Sequence, residues 1–238
     1  MDHSRKSAIL ILILCSMLQL TPVNVHYYLY SDGRWIKSIP PIKVQIQSIS
    51  THTDLDGDGK IEELTLVNGQ ANIRSNGILL WTSPSSWQVK QTLINDLDRN
   101  GQPEVILLVR RPFNPWPVDR WLPYSGRIIK FQDGSGYGCH IILIGWKDHR
   151  YKEFWAGSSM AEPALYINAA DLNQDGNLEL ITLESTYGQA NLIPGHAIKI
   201  WEWNGFGFSL LTSITGKFQG FDILQSESDI QRRYLLAY

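Results

Sequence analysis

The stretch that decides the fold is Asp171-Leu172-Asn173-Gln174-Asp175-Gly176-Asn177-Leu178-Glu179, followed at once by the apolar run Leu180-Ile181-Thr182-Leu183. Two more copies stand upstream. One runs from Asp54 through Asp56, Asp58, Gly59 and Lys60 to Glu62, and enters Glu63-Leu64-Thr65-Leu66-Val67. The other runs from Asp96 through Asp98, Asn100, Gly101 and Gln102 to Glu104, and enters Val105-Ile106-Leu107-Leu108-Val109. Each copy carries oxygen-bearing side chains at loop positions 1, 3, 5 and 9 and Gly at position 6. A short loop wraps a hard cation in this way. Alternate residues turn carboxylate or amide oxygens inward, position 7 (Lys60, Gln102, Asn177) can offer its carbonyl, and Gly takes the sharp turn without steric conflict. Calcium suits such a donor set, because it accepts about six to eight oxygens in loose geometry where magnesium demands a stricter octahedron.

An EF-hand loop begins the same way but needs a bidentate Glu at position 12, between two helices. Position 12 here is Thr65, Leu107 and Thr182, none of them acidic. The carboxylate stands at position 9, and the run that follows has strand character. Asp and Asn next to Gly favour turns without any ion. Three copies with matching flanks point instead to a repeated cation-binding loop.

The loops and their flanks resemble the FG-GAP/VCBS repeats of integrin-alpha-type β-propellers. In that family the loop joins the first and second strands of a blade and binds calcium through positions 1, 3, 5, 7 and 9. The resemblance covers three repeats, from about Ile42 to about Ile214. Carried onto this chain, the ligands are Asp54, Asp56, Asp58, Lys60 and Glu62; Asp96, Asp98, Asn100, Gln102 and Glu104; and Asp171, Asn173, Asp175, Asn177 and Glu179. Copy two departs by Asn100 at position 5 and Pro103 at position 8, copy three by Asn173 at position 3. Each loses one formal charge and is expected to bind more weakly.

The 238 residues suit one all-β domain after a leader. A net charge of −2 offers no basic field for nucleic acid. Only Cys15 and Cys139 are present, and Cys15 lies in the leader, so the folded part has no disulfide framework. Arg5 and Lys6 precede the apolar run 8–20, which has the length of a signal-peptide core and is short for a spanning helix. Residues 1–24 therefore read as a signal peptide or an N-terminal membrane anchor, and the protein as exported. Cleavage near Val23, lipidation at Cys15 and retention as an anchor all stay open.

Residues 25–238 read as the propeller. Blade one takes Lys43–Ile49 as its first strand, then the first loop, Leu64–Val67, the Asn68-Gly69 turn and Gly77–Trp81. Blade two takes Val89–Ile94, Val105–Val109, His140–Trp146 and Tyr151–Trp155. Blade three takes Ala164–Ala169, Leu180–Leu183, Ala197–Trp203 and Phe206–Ile214. Three blades do not close a ring, since propellers have about four to eight. A fourth is expected from the ends: a hairpin over His26–Tyr30 and Arg34–Ile39, and two strands over Phe218–Leu224 and Arg233–Tyr238. The expected fold is thus an all-β, four-bladed propeller closed by N- and C-terminal strands, with a β-sandwich as the rival.

The repeat architecture implies that the metal loops share one face and the second-to-third strand connections the other. The chain spends its extra residues on that second face, in a run from Pro112 to about Cys139 rich in Pro, Trp and Arg. A long insertion in a compact domain is usually functional or disordered, and its aromatic content argues against disorder. Trp116 and Trp121 offer stacking surface, and Arg111 and Arg120 offer planar donors, for a glycan or protein ligand. The competing reading is a packed lid, with Trp plugging the channel and Arg paired to Asp119 and Asp133.

No catalytic signature emerges. Gly157-Ser158-Ser159 lacks the second Gly of a nucleophile elbow, and His140, His149 and His196 lack metal-ligand spacing. The expected function is an exported, calcium-stabilised binding or scaffold module of the cell envelope. The alternative is an enzyme acting on extracellular polysaccharide, working on the face opposite the loops.

Overall fold

The computed structural model describes residues 25–238 except 32, 40–42, 49, 115–129, 189–193, 228 and 230–231. The described residues form strands and no helix. Strands β1 (His26–Ser31), β2 (Arg34–Lys37) and β3 (Val44–Ile46) come first. Blade one is β4 (His52–Thr53), β5 (Glu62–Val67), β6 (Gln70–Ser75) and β7 (Ile78–Thr82). Blade two is β8 (Gln88–Asn95), β9 (Glu104–Pro112), β10 (Tyr137–Lys147) and β11 (Arg150–Ala156). Blade three is β12 (Ala164–Ala170), β13 (Glu179–Glu184), β14 (Gly195–Trp203) and β15 (Phe208–Phe218), and the chain ends with β16 (Phe221–Ser226) and β17 (Arg233–Ala237).

Each of these three blades is a four-stranded antiparallel sheet in chain order, and with the closing sheet the four sheets ring an axis as a four-bladed β-propeller. The turns follow from the sequence. Asn68 and Gly69 have φ of 52° and 77°, the paired left-handed conformation that matches the twist of a two-residue hairpin. Asn76-Gly77 repeats it.

The closing sheet has the order β2-β1-β17-β16-β3. Strand β17 lies between the two ends of the chain: Leu235 faces Tyr28 on β1 and Ile223 on β16. The termini therefore complete the fourth blade, β16 and β17 supplying inner strands and β1 and β2 outer ones. This removes the sheet edge that three blades would leave.

One strand is placed differently from its sequence reading. The segment expected as blade one's first strand joins the closing sheet, with Val44 opposite Ser226 and Ile46 opposite Leu224. Blade one keeps only the two-residue β4 as its inner strand. The physical reason is that β3 has no face committed to blade one: Ile46 is 65% exposed, and the following Gln47 N–H donates to Ile223 O at 2.8 Å. Its backbone pairing thus decides its neighbour.

Three apolar clusters fill the spaces between sheets. One joins the closing sheet to blade three through Tyr28, Phe221, Leu235, Ile198 and Ile200. A second joins blades one and two through Leu64, Ile73, Val105, Leu107 and Ile144. A third joins blades two and three through Leu93, Ile106, Leu143, Ile167 and Leu180. Among the described residues no such cluster joins the closing sheet to blade one. The inner strands of blades two and three are also tied by Gln91, whose amide donates to Ile167 O at 2.7 Å and accepts the Ile167 N–H at 2.8 Å.

Candidate functional site

The β4–β5, β8–β9 and β12–β13 connections leave the same end of their blades, so the three acidic loops share one face. Their internal hydrogen bonds repeat almost atom for atom. The position 6 N–H donates to the position 1 carboxylate: Gly59 to Asp54 at 2.9 Å, Gly101 to Asp96 at 2.9 Å, Gly176 to Asp171 at 3.1 Å. The position 5 N–H donates to the position 3 side chain, Asp56, Asp98 or Asn173, at 3.0–3.1 Å. The position 7 N–H of Lys60, Gln102 or Asn177 donates to the position 5 side chain, Asp58, Asn100 or Asp175, at 2.7–2.8 Å. Successive Asp/Asn side chains thus fold the backbone around themselves, as these residues do in turns. Positions 4 and 6 are left-handed in all three: Gly57, Arg99 and Gln174 at φ 76°, 65° and 64°, then Gly59, Gly101 and Gly176 at 83–87°.

The position 9 glutamates begin β5, β9 and β13 and are buried, with Glu62, Glu104 and Glu179 each at most 2% exposed. One oxygen of each accepts the N–H of loop position 2, at 2.8–2.9 Å from Leu55, Leu97 and Leu172. These leucines are themselves buried and anchor the loop to the blade. The other oxygens of Glu104 (Oε2) and Glu179 (Oε1) are buried without a hydrogen-bond partner. A buried carboxylate oxygen without a partner is costly. Burial pushes Glu104 up to about 8, with the Leu97 N–H opposing and Asp98 and Asp96 adding to the rise. Burial pushes Glu179 up to about 7, opposed by the Leu172 N–H and raised further by Asp175 and Asp171.

Carboxylate oxygens of Asp54, Asp56 and Asp58 lie within 4.8 Å of one another, as do those of Asp96, Asp98 and Glu104. Oxygen-only donors, their convergence and the orphaned buried oxygens fit a hard divalent cation. In the first loop, Lys60 Nζ pairs with Asp58 Oδ2 at 2.5 Å, and this exposed lysine can swing away. Gln102 also sends its side-chain amide to Leu55 O at 2.9 Å, tying the second loop to the first.

The opposite face carries the β9–β10 insertion. Trp116, Arg120 and Trp121 lie outside the described residues. Arg111 lies near the end of β9, its guanidinium carbon 5.8 Å from the centroid of Trp87 and its Nη1 3.7 Å from Glu153. Arg110 pairs with Asp133 at 2.5 Å, as the lid reading anticipates. On the same side His140 is 5% exposed; its Nδ1 stands 3.0 Å from Gly157 O and its Nε2 has no partner. Burial pushes its imidazole down to about 4, Gly157 O opposing and Arg111 assisting, so the ring is neutral near pH 7. Burial also pushes the Cys139 thiol up to about 12, which leaves it unreactive.

Sequence spacing picked out the acidic residues that converge in loops one and two but not the cross-blade contacts, among them that of Glu202 with Arg99. Nothing in a lone glutamate on a strand signals that pairing. Residues 1–24 lie outside the described residues; among the described ones no helix is long and apolar enough to cross a membrane. The chain matches no protein-family model and no curated protein.

Proposed function

We propose that the chain is an exported, calcium-stabilised β-propeller of FG-GAP/VCBS type, serving as a binding or scaffold module of the cell envelope. The observation that carries this reading is the pair of buried, unpartnered oxygens, Glu104 Oε2 and Glu179 Oε1, in loops whose every other donor is also oxygen. Asp54, Asp56, Asp58 and Glu62 would hold calcium in the first loop, Asp96, Asp98, Asn100 and Glu104 in the second, and Asp171, Asn173, Asp175 and Glu179 in the third. Calcium there neutralises charge that the fold buries, so it acts as a fastener rather than a reactant. The ions would tie blade to blade, since Gln102 already bonds loop two to loop one. The opposite face is then left for a glycan or protein ligand, with Arg111 at its margin, near the end of β9. Calorimetric titration with calcium, with magnesium as the comparator, tests the reading. Saturable calcium binding with much weaker magnesium binding is expected; equal binding of both, or none, refutes it. A glycan array probed at saturating calcium then addresses the ligand.

A further inference from the structure

A groove of about 650 Å³ lies between β2 and β15, the outermost strands of the closing sheet and of blade three. That volume falls within the range of small-ligand sites, about 300–1,000 Å³. The part of β15 that lines it, Ser213–Phe218, is the half farther from the acidic loops. Thr215 faces Ala197, and Ala197 faces Glu184 at the end of β13 away from loop three.

One wall of the groove is aromatic. His26, Tyr28 and Trp35 line it, with ring centroids 6.3 Å and then 6.4 Å apart in edge-to-face contact. Trp35 Nε1 is buried without a hydrogen-bond partner, whereas a buried indole N–H ordinarily has one. Ser213 and Thr215 add hydroxyls. The charged residues of the lining are Lys37 and Lys217, both exposed, and among the described residues neither forms an ion pair. No lining residue is acidic, although the chain carries a net charge of −2. The space between the outer strands of blades one and two differs, since Glu153 lines it together with Arg150 and Lys152 and supplies a counter-charge.

We propose that this groove binds an acidic oligosaccharide, a glycan whose rings carry carboxylates. The apolar C–H faces of sugar rings pack on aromatic side chains, and ring hydroxyls match Ser213, Thr215 and the unused indole N–H. The carboxylates then answer the two unpaired lysines through charge-assisted hydrogen bonds. An acidic peptide offers the charge without the repeated hydroxyls, so it fits this mixed lining less well. The inference gives the glycan reading above a ligand class and a place, and it does not depend on calcium.

Calorimetric titration of the full-length protein with hyaluronan hexasaccharide, which alternates glucuronate and N-acetylglucosamine, tests it. Chitohexaose, neutral and of the same length, and hexaglutamate are the comparators. Saturable binding of the hexasaccharide is expected, about tenfold tighter than that of either comparator and weakening with added salt as the ion pairs are screened. Lys37→Gln combined with Lys217→Gln is expected to weaken it about tenfold. Trp35→Phe keeps an aromatic ring, removes the N–H and is expected to weaken it about threefold. Lys90→Gln, outside the groove, should bind like the parent, and unchanged melting temperatures show that the variants are folded. Absence of binding, equal or tighter binding of chitohexaose or hexaglutamate, or full affinity in the double-lysine variant would overturn the proposal. A neutral glycan captured on the array without hexasaccharide binding would remove this inference and leave the glycan reading standing.

Discussion

Leu235→Ala tests ring closure at its centre. Leu235 is 0% exposed on β17, flanked by Tyr28 from the N-terminal hairpin and Ile223 from β16. Both neighbours are fixed by backbone ladders, so the space left by the lost isobutyl group cannot easily collapse. Large-to-small core changes of this kind cost about 2.7–5 kcal/mol, rising with the cavity that remains. With rigid neighbours the upper half applies, about 4 kcal/mol. For a domain of this size each kcal/mol lowers the melting temperature by about 2–4 °C, so a fall of about 8–16 °C is expected. Ile78→Ala is the control, since Ile78 is 66% exposed and should change stability by no more than about 0.5 kcal/mol. Thermal melts followed by circular dichroism give both numbers, and size-exclusion chromatography reports whether the damaged seam exposes a sticky edge. A Leu235→Ala melt within about 2 °C of the parent would refute closure through the C-terminal strand.

Two further substitutions probe the faces of the ring. Glu104→Gln keeps an acceptor for the Leu97 and Asp98 N–H groups but loses the charge; it should melt like the parent in chelator and lose about 2.7 kcal/mol of the calcium effect at a hundredfold excess of ion over its Kd. Equal calcium responses in the variant and the parent would count against Glu104 as a ligand. His140→Asn keeps a donor for Gly157 O and removes a buried base. The folded value of His140, about 4, lies below its unfolded value near 6.5, so its contribution is fully present above 6.5 and is lost as pH falls through 4. Between pH 7 and pH 5 the wild type should lose about 2 kcal/mol more than the variant, and parallel pH profiles would show that His140 is not held neutral.

The loops were legible in the sequence because they are local. Asp at position 1, Gly at 6 and Glu at 9 act on one another across a few residues, and their hydrogen bonds repeat in all three copies. The closing sheet was legible because two pairs of strand-like segments at the ends lacked partners, and β17 does stand between them. The destination of Val44–Ile46 was hidden, since an exposed edge segment carries no pattern naming the sheet it will join. Arg99 was hidden for a related reason. In the sequence it is one residue of a turn, and only the ring brings its guanidinium to Glu202 on the next blade. The orphaned oxygen of Glu104 could not be foreseen either, because it depends on the other oxygen being taken by the Leu97 and Asp98 N–H groups.

The central claim is that the acidic loops hold a cation which only the folded ring can bind. An ion that binds the native state alone raises stability by mass action, about 2.7 kcal/mol per site at a hundredfold over Kd. The most direct measurement is the melting temperature of the purified protein in millimolar calcium and in excess chelator at the same pH and ionic strength. The account predicts a rise in calcium of at least about 5 °C, from about 2–4 °C per kcal/mol. Identical melts in calcium and chelator would contradict it.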